Sequence, residues 1–241
     1  QAIEHLAKAL AGDVLAAEYA LLTLLSRAYV RTEAFAPGSL SLNLRGVPTK
    51  AAPGFHAAVA ELVPKCVRVP VTTESLSAKF KFAPKKDYEA DRLMLSNLQL
   101  SDGTVVILDE TELEPGQIGT EGVGNLAVLH SLLSLQKVPY DFGFYKMEFE
   151  VDHPSISLSC GRSVVPTSAS LPVVPRNGCG PAGDGWSTNA ILTRLRVYVE
   201  ATRRMELTLD KDSSGMAEED FVKARQQGQT ITVRPMIHDG A

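Results

Sequence analysis

TVVILDE, residues 104–110, is an apolar strand that ends in an acidic pair, Asp109 and Glu110. A strand so continuously apolar is the kind buried on both faces of a parallel sheet. In a nucleotide-driven motor, an Asp at such a strand end helps hold Mg²⁺ and a neighbouring Glu polarises the attacking water. That chemistry also needs a glycine-rich loop ending in Gly-Lys-Ser/Thr, whose backbone N–H groups cradle the phosphates. The position for such a loop follows the short strand at 40–44, and the residues there are RGVPTKAAPGF, 45–55. Gly46 and Lys50 are present, but no Gly-Lys-Ser/Thr precedes the helix. Pro48 and Pro53 remove N–H donors that a phosphate nest would use. The acidic half of an ATPase signature is therefore present and the phosphate-binding half is missing.

Outward from this strand, helical and extended patterns alternate. Helices are expected at 1–11 and 14–30, with Asp13 capping the second, and again at 55–62, 88–98, 123–137 and 188–205. Strands are expected at 40–44, 66–71 (with Pro70 marking an edge or an end), 104–110, 156–160 and 171–174. Residues 138–151, VPYDFGFYKMEFEV, read as a β-hairpin turning near Gly143. Residues 175–187, PRNGCGPAGDGWS, read as a linker, and 217–227 as a last short helix. The alternation implies an α/β domain over 1–175, with N-terminal helices, and a helical C-terminal segment over 188–241.

Composition narrows the function classes. The chain has 241 residues, 44% hydrophobic and 22% charged, which is enough for a substantial core in a globular protein. Its net charge of −4 argues against bulk electrostatic attachment to nucleic acid. No apolar run is long enough to span a bilayer, and the start QAIEHLAKAL lacks a signal-peptide pattern. That start is amphipathic helix without a lead-in, as expected of a piece of a longer protein. Cys66, Cys160 and Cys179 are widely spaced with no CxxC, and the five histidines are scattered. No catalytic triad and no metal set is predicted. The hairpin aromatics Tyr140, Phe142, Phe144, Tyr145 and Phe149, with Lys146, have the residue types that stack on single-stranded nucleic acid. The same alternation covers a sheet or makes a protein contact. Arg194, Arg196, Arg203 and Arg204 on the 188–205 helix could meet phosphates, an acidic partner or solvent.

Several stretches together carry a resemblance. AAEYALLTLLSRAY (16–29), SLNLRGVP (41–48), KDYEADRL (86–93), DETELEPGQIGTEGVGN (109–125), QKVPYDFGFYKMEF (136–149), SCGRSVVP (159–166) and EEDFVKARQ (218–226) occur in order. Together they resemble the C-terminal half of the minichromosome maintenance complex-binding protein family. The resemblance implies a nuclear, non-enzymatic partner of the minichromosome maintenance helicase subunits. It acts in their assembly, import and unloading during DNA replication, and its loss affects sister-chromatid cohesion. It further implies a degenerate AAA+-like parallel-sheet sandwich without a functional phosphate loop, followed by a helical lid remnant. TVVILDE would stand at the Walker B strand, the hairpin at the presensor hairpin, and Ser159-Cys160-Gly161 where ATPases place a sensor Asn. Residues 231–241 depart from the apolar helix expected to complete the lid.

No catalytic, cofactor or metal residue is expected on this reading. The candidate partner-contact residues are Asp109, Glu110, Tyr140, Phe142, Tyr145, Lys146, Arg194 and Arg196. Two other classes stand beside it: an ATPase that completes its site with a partner's residues, and a single-stranded nucleic-acid-binding module.

Overall fold

The computed structural model describes residues 1–32, 36–79, 81–175 and 189–206, together with 215, 216, 219, 220, 222 and 223. The chain divides into two units, Gln1–Arg204 and Met205–Ala241. In the second, the six residues from 215 onward are helical, with Lys223 3.5 Å from Glu219. The expected linker residues 176–187, and most of the expected helix at 217–227, lie outside the described residues.

The first unit opens with α1 (Ala2–Ala9) and α2 (Val14–Leu25). Asp13 caps α2 as expected, its Oδ1 accepting from the Ala16 N–H at 3.1 Å. Strand β1 (Ser41–Arg45) leads through a 3-10 turn at Thr49–Ala51 into α3 (Ala52–Leu62) and β2 (Cys66–Pro70). Helix α3 begins three residues earlier than expected, because Pro53 is accommodated in its first turn, where no N–H is needed. Next come α4 (Thr73–Ser77), closed by a Thr72–Ser75 capping box, and the short strands β3 (Lys85–Asp87) and β4 (Arg92–Met94). The helix expected at 88–98 does not form. Asp87 Oδ1 accepts from the N–H groups of Glu89 and Ala90 at 3.0 and 3.1 Å, and Asp91 takes a left-handed φ of 44°, so the segment turns back as a hairpin.

Strand β5 (Val105–Asp109) precedes α5 (Thr120–Leu135), and β6 (Lys137–Asp141) and β7 (Lys146–Glu150) form the expected hairpin. Strands β8 (Ser155–Ser159) and β9 (Ala169–Pro172) and helix α6 (Asn189–Arg204) complete the unit.

Five strands form a parallel sheet in the order β2-β5-β8-β1-β9. The fold is thus the α/β parallel-sheet class expected. Pro70 sits on the edge strand β2, where the ladder tolerates it. A second, mixed sheet, β4-β3-β6-β7, was not foreseen beyond its hairpin.

In β5, Val105 and Ile107 enter a core built with α1, α2, α3 and α6, while Val106 and Leu108 enter another built with α4 and α5. Each such side chain contributes about 1.5–3 kcal/mol on burial, which locks the strand's register. Strand β8 differs. Ile156 and Leu158 join the first core, but Ser155, Ser157 and Ser159 are buried on the opposite face and need polar partners.

Candidate functional site

The parallel register brings the loops that follow β1, β5 and β8 to one edge of the sheet, where open α/β sheets build their ligand sites. Here that edge is stitched shut. After β1, the Val47 N–H donates to the Ser159 carbonyl (3.2 Å) and the Thr49 hydroxyl to the Thr111 carbonyl (3.1 Å). The Cys160 Sγ lies 3.5 Å from the Val47 carbonyl oxygen and 3.3 Å from that of Thr111. The Ala51 N–H closes the 3-10 turn onto Pro48. Two prolines without an N–H and two amides spent within the protein, Val47 on Ser159 and Ala51 on the turn, interrupt the run of N–H groups that a phosphate nest needs.

The acidic pair is occupied by the protein itself. Asp109, 7% exposed, accepts through Oδ1 from the Thr111 N–H (3.1 Å) and hydroxyl (2.7 Å), while Oδ2 lies 3.3 Å from Arg68 Nη1. Glu110, 4% exposed, accepts through Oε1 from the Ser157 and Ser163 hydroxyls, both at 2.7 Å. Its Oε2 takes the Val164 N–H at 3.0 Å. The carboxylate thus supplies the partner that buried Ser157 requires and anchors the loop after β8. The Ser159 hydroxyl, at the end of β8, lies 2.9 Å from Asn43 Oδ1 on β1. An open cleft of about 670 Å³ remains beside this edge, lined by Glu74, Glu112, Glu114, Thr49, Thr72, Thr73, Thr111 and Leu113. Three carboxylates and no cation among these residues make it repel phosphate.

The other candidate residues are not gathered here. Arg196 Nε donates to the Glu61 carbonyl at 2.6 Å, at the end of α3 that leads into the start of β2. Arg203, on the same helix, bonds the Gly103 carbonyl (3.1 Å) and Asp152 (3.0 Å), just before β5 and β8. Helix α6 therefore lies toward the opposite edge of the sheet from Asp109, with Arg194 and Arg196 exposed on it. It packs against α2 and α3.

The hairpin is a third location. Tyr140 stacks obliquely on Phe149 with centroids 4.2 Å apart, and Phe142 on Tyr145 at 5.1 Å. The Tyr88 hydroxyl, from the β3–β4 turn, donates to the Phe142 carbonyl at 2.8 Å, and its ring meets Phe144 edge-on. Phe144 is nevertheless 90% exposed. Lys146 borders a cavity of about 380 Å³ with Lys79, Lys85 and Asp141. Burial raises the Asp141 pKa, but the Gly143 N–H, Lys85 and Lys146 outweigh it and hold the carboxyl below its usual value.

Sequence reasoning missed the residues that engage the acids: Arg68, Thr111, Ser157 and Ser163. One signal was available. The alternation SISLS (155–159) puts three serines on one face of a central strand, which calls for a buried polar partner nearby. Among the described residues, no group of three or more His, Cys, Asp or Glu is placed to hold a metal ion, and no helix is long and apolar enough to cross a membrane.

Residues 1–238 match the family model described as Mini-chromosome maintenance replisome factor. Among curated proteins, the chain is 34% identical over 97% of its length to the Gallus gallus Mini-chromosome maintenance complex-binding protein, covering 38% of that protein. It is 35% identical to the Homo sapiens protein of the same name, with 94% and 37% coverage, and 34% identical to that of Arabidopsis thaliana, with 95% and 39%. The chain thus spans less than two fifths of these relatives.

Proposed function

The chain belongs to the Mini-chromosome maintenance replisome factor family, and on that premise we propose that it is a binding module for minichromosome maintenance helicase subunits and not an enzyme. The observation that carries this reading is the closed edge of the sheet. An ATPase needs its acidic pair free for Mg²⁺ and water, whereas all four carboxylate oxygens of Asp109 and Glu110 are engaged within the protein. A helicase-like architecture that cannot hold nucleotide would retain the surfaces through which such modules meet.

The module then acts as an adaptor or chaperone in the nucleus. It caps the exposed face of a free subunit so that ring closure does not follow, and so governs assembly, import and unloading during replication and cohesion. The exposed hairpin tip around Phe142, Phe144 and Tyr145 and the α6 arginines Arg194 and Arg196 are the proposed contact surfaces. Asp109 and Glu110, buried and bonded to Arg68, Thr111, Ser157, Ser163 and Val164, are not part of them.

A pull-down from nuclear extract with the 241-residue chain tests the reading. Recovery of helicase subunits is expected, and recovery of none overturns it. Titration calorimetry with Mg-ATP addresses the rival in which a catalytic site is present. Micromolar affinity that disappears in Asp109→Ala would replace the adaptor reading with an ATPase.

A further inference from the structure

Strand β7 forms the outer edge of the β4-β3-β6-β7 sheet, and among the described residues no strand pairs with its free side. All five of its residues, Lys146-Met147-Glu148-Phe149-Glu150, are exposed. Such an edge is a template for strand addition unless something covers or blunts it. The backbone phase can be read from two bonds that flank the hairpin ladder, Phe142 N–H to the Tyr145 carbonyl and Val151 N–H to the Gln136 carbonyl. Residues 145, 147, 149 and 151 therefore turn their amides toward β6. The N–H and C=O groups of Lys146, Glu148 and Glu150 point outward.

We infer that β7 pairs antiparallel with β7 of a second copy of this chain, across a two-fold axis at Glu148. The sequence of the strand is self-complementary about that residue. With Glu148 opposite Glu148, Lys146 of each copy faces Glu150 of the other, and Met147 faces Phe149. All three outward-facing residues then fall in hydrogen-bonded pairs. Met147 and Phe149 fall in the closer, non-hydrogen-bonded pairs, where sulfur–aromatic contact is favourable.

The charges continue across the joined sheets. Asp141 and Lys146 are partners across the hairpin, and Glu150 has Lys137 opposite it and Arg31 3.3 Å away. A row running Asp141, Lys146, then the second copy's Glu150 and Lys137 therefore alternates in sign. The one like-charged pair, Glu148 with Glu148, is relieved because each carboxylate already holds its own Lys137 at 3.1 Å. Sliding the register by two residues in one direction would set Glu148 against Glu150 twice and lose both Lys146–Glu150 pairs. The contact uses the strand's edge, so the hairpin-tip aromatics stay open and the inference is independent of helicase binding.

Sedimentation equilibrium of the 241-residue chain should show a reversible dimer with a dissociation constant of roughly 10–100 µM. Glu148→Pro removes an outward N–H and leaves the β6 ladder intact, and should weaken the dimer at least about tenfold with an unchanged circular dichroism spectrum. In a Cys160→Ser, Cys179→Ser background, Glu148→Cys should form an interchain disulfide on mild oxidation, because its Cα atoms would lie about 5.5 Å apart. Glu150→Cys should not, since its copies would be about 13 Å apart along the strands. A monomer throughout the concentration range, a Glu148→Pro dimer as tight as the parent, or equal cross-linking at 148 and 150 would each overturn the inference.

Discussion

Replacing Glu110 separates a structural acid from a catalytic one. Its carboxylate accepts three hydrogen bonds while only 4% exposed: from Ser157 and Ser163 at 2.7 Å each and from the Val164 N–H at 3.0 Å. Glu110→Ala leaves the fully buried Ser157 hydroxyl without its acceptor, while the Ser163 hydroxyl keeps the Val165 carbonyl at 2.9 Å and Val164 is exposed. An unsatisfied buried polar group costs about 1–3 kcal/mol. With the charge-assisted bonds of the loop lost as well, the cost should be on the order of 2–4 kcal/mol, a large share of the ~5–15 kcal/mol that holds a domain folded. For a domain of this size that corresponds to roughly 4–16 °C in Tm.

Glu110→Gln keeps the shape but loses the charge-assisted component, and should cost less, about 1–3 kcal/mol. Urea unfolding followed by circular dichroism reads both. A double-mutant cycle with Ser163→Ala should return a coupling of about 1–2 kcal/mol. Were Glu110 instead kept for turnover, its removal would leave stability unchanged or raise it, as active-site substitutions commonly do. A Glu110→Ala variant as stable as the parent refutes the staple and reopens the ATPase reading.

Burial lowers the pKa of His153 below its ordinary 6.5, against the opposing pull of Asp102 and Asp152. The unfolded chain therefore takes up a proton first. Stability is complete above pH 6.5 and falls as pH drops below it, so His153→Leu should flatten the urea-unfolding profile between pH 6.5 and 5; an unchanged slope counts against the buried neutral imidazole. Burial pushes the Cys66 thiol up to about 12. Iodoacetamide at about pH 8 should spare it in the folded protein and label it in urea, and equal labelling in both states would contradict its environment. Phe144→Ser should change stability by less than about 0.5 kcal/mol, because the ring is 90% exposed, yet reduce recovery of helicase subunits; unimpaired recovery would remove the hairpin tip from the contact surface.

Local pattern made much of the fold legible. The continuous apolar run 105–108 marked a strand buried on both sides, and Val105–Asp109 is that strand. Alternation marked the hairpin, and Asp13 marked the start of α2. The segment 88–98 misled because the charged and apolar residues of KDYEADRL suit a helix surface, while the decisive influence was a single side chain, Asp87, capturing two amides of the turn. Helix propensity amounts to tenths of a kcal/mol per residue and yields to such local hydrogen bonding.

The sequence alone determined that this is a parallel α/β protein, that its loop after β1 lacks the residues of a phosphate cradle, and which family it resembles. Those properties rest on periodicity and on residues missing from short, contiguous motifs. What the acidic pair does was decided by the tertiary structure. Glu110 meets Ser157 and Ser163 across 47 and 53 residues of chain, and Asp109 meets Arg68 across 41. Only the parallel register sets β2 and β8 on either side of β5 and so brings these groups within hydrogen-bonding distance. The end of TVVILDE reads as catalysis in one dimension and is a buried fastening in three.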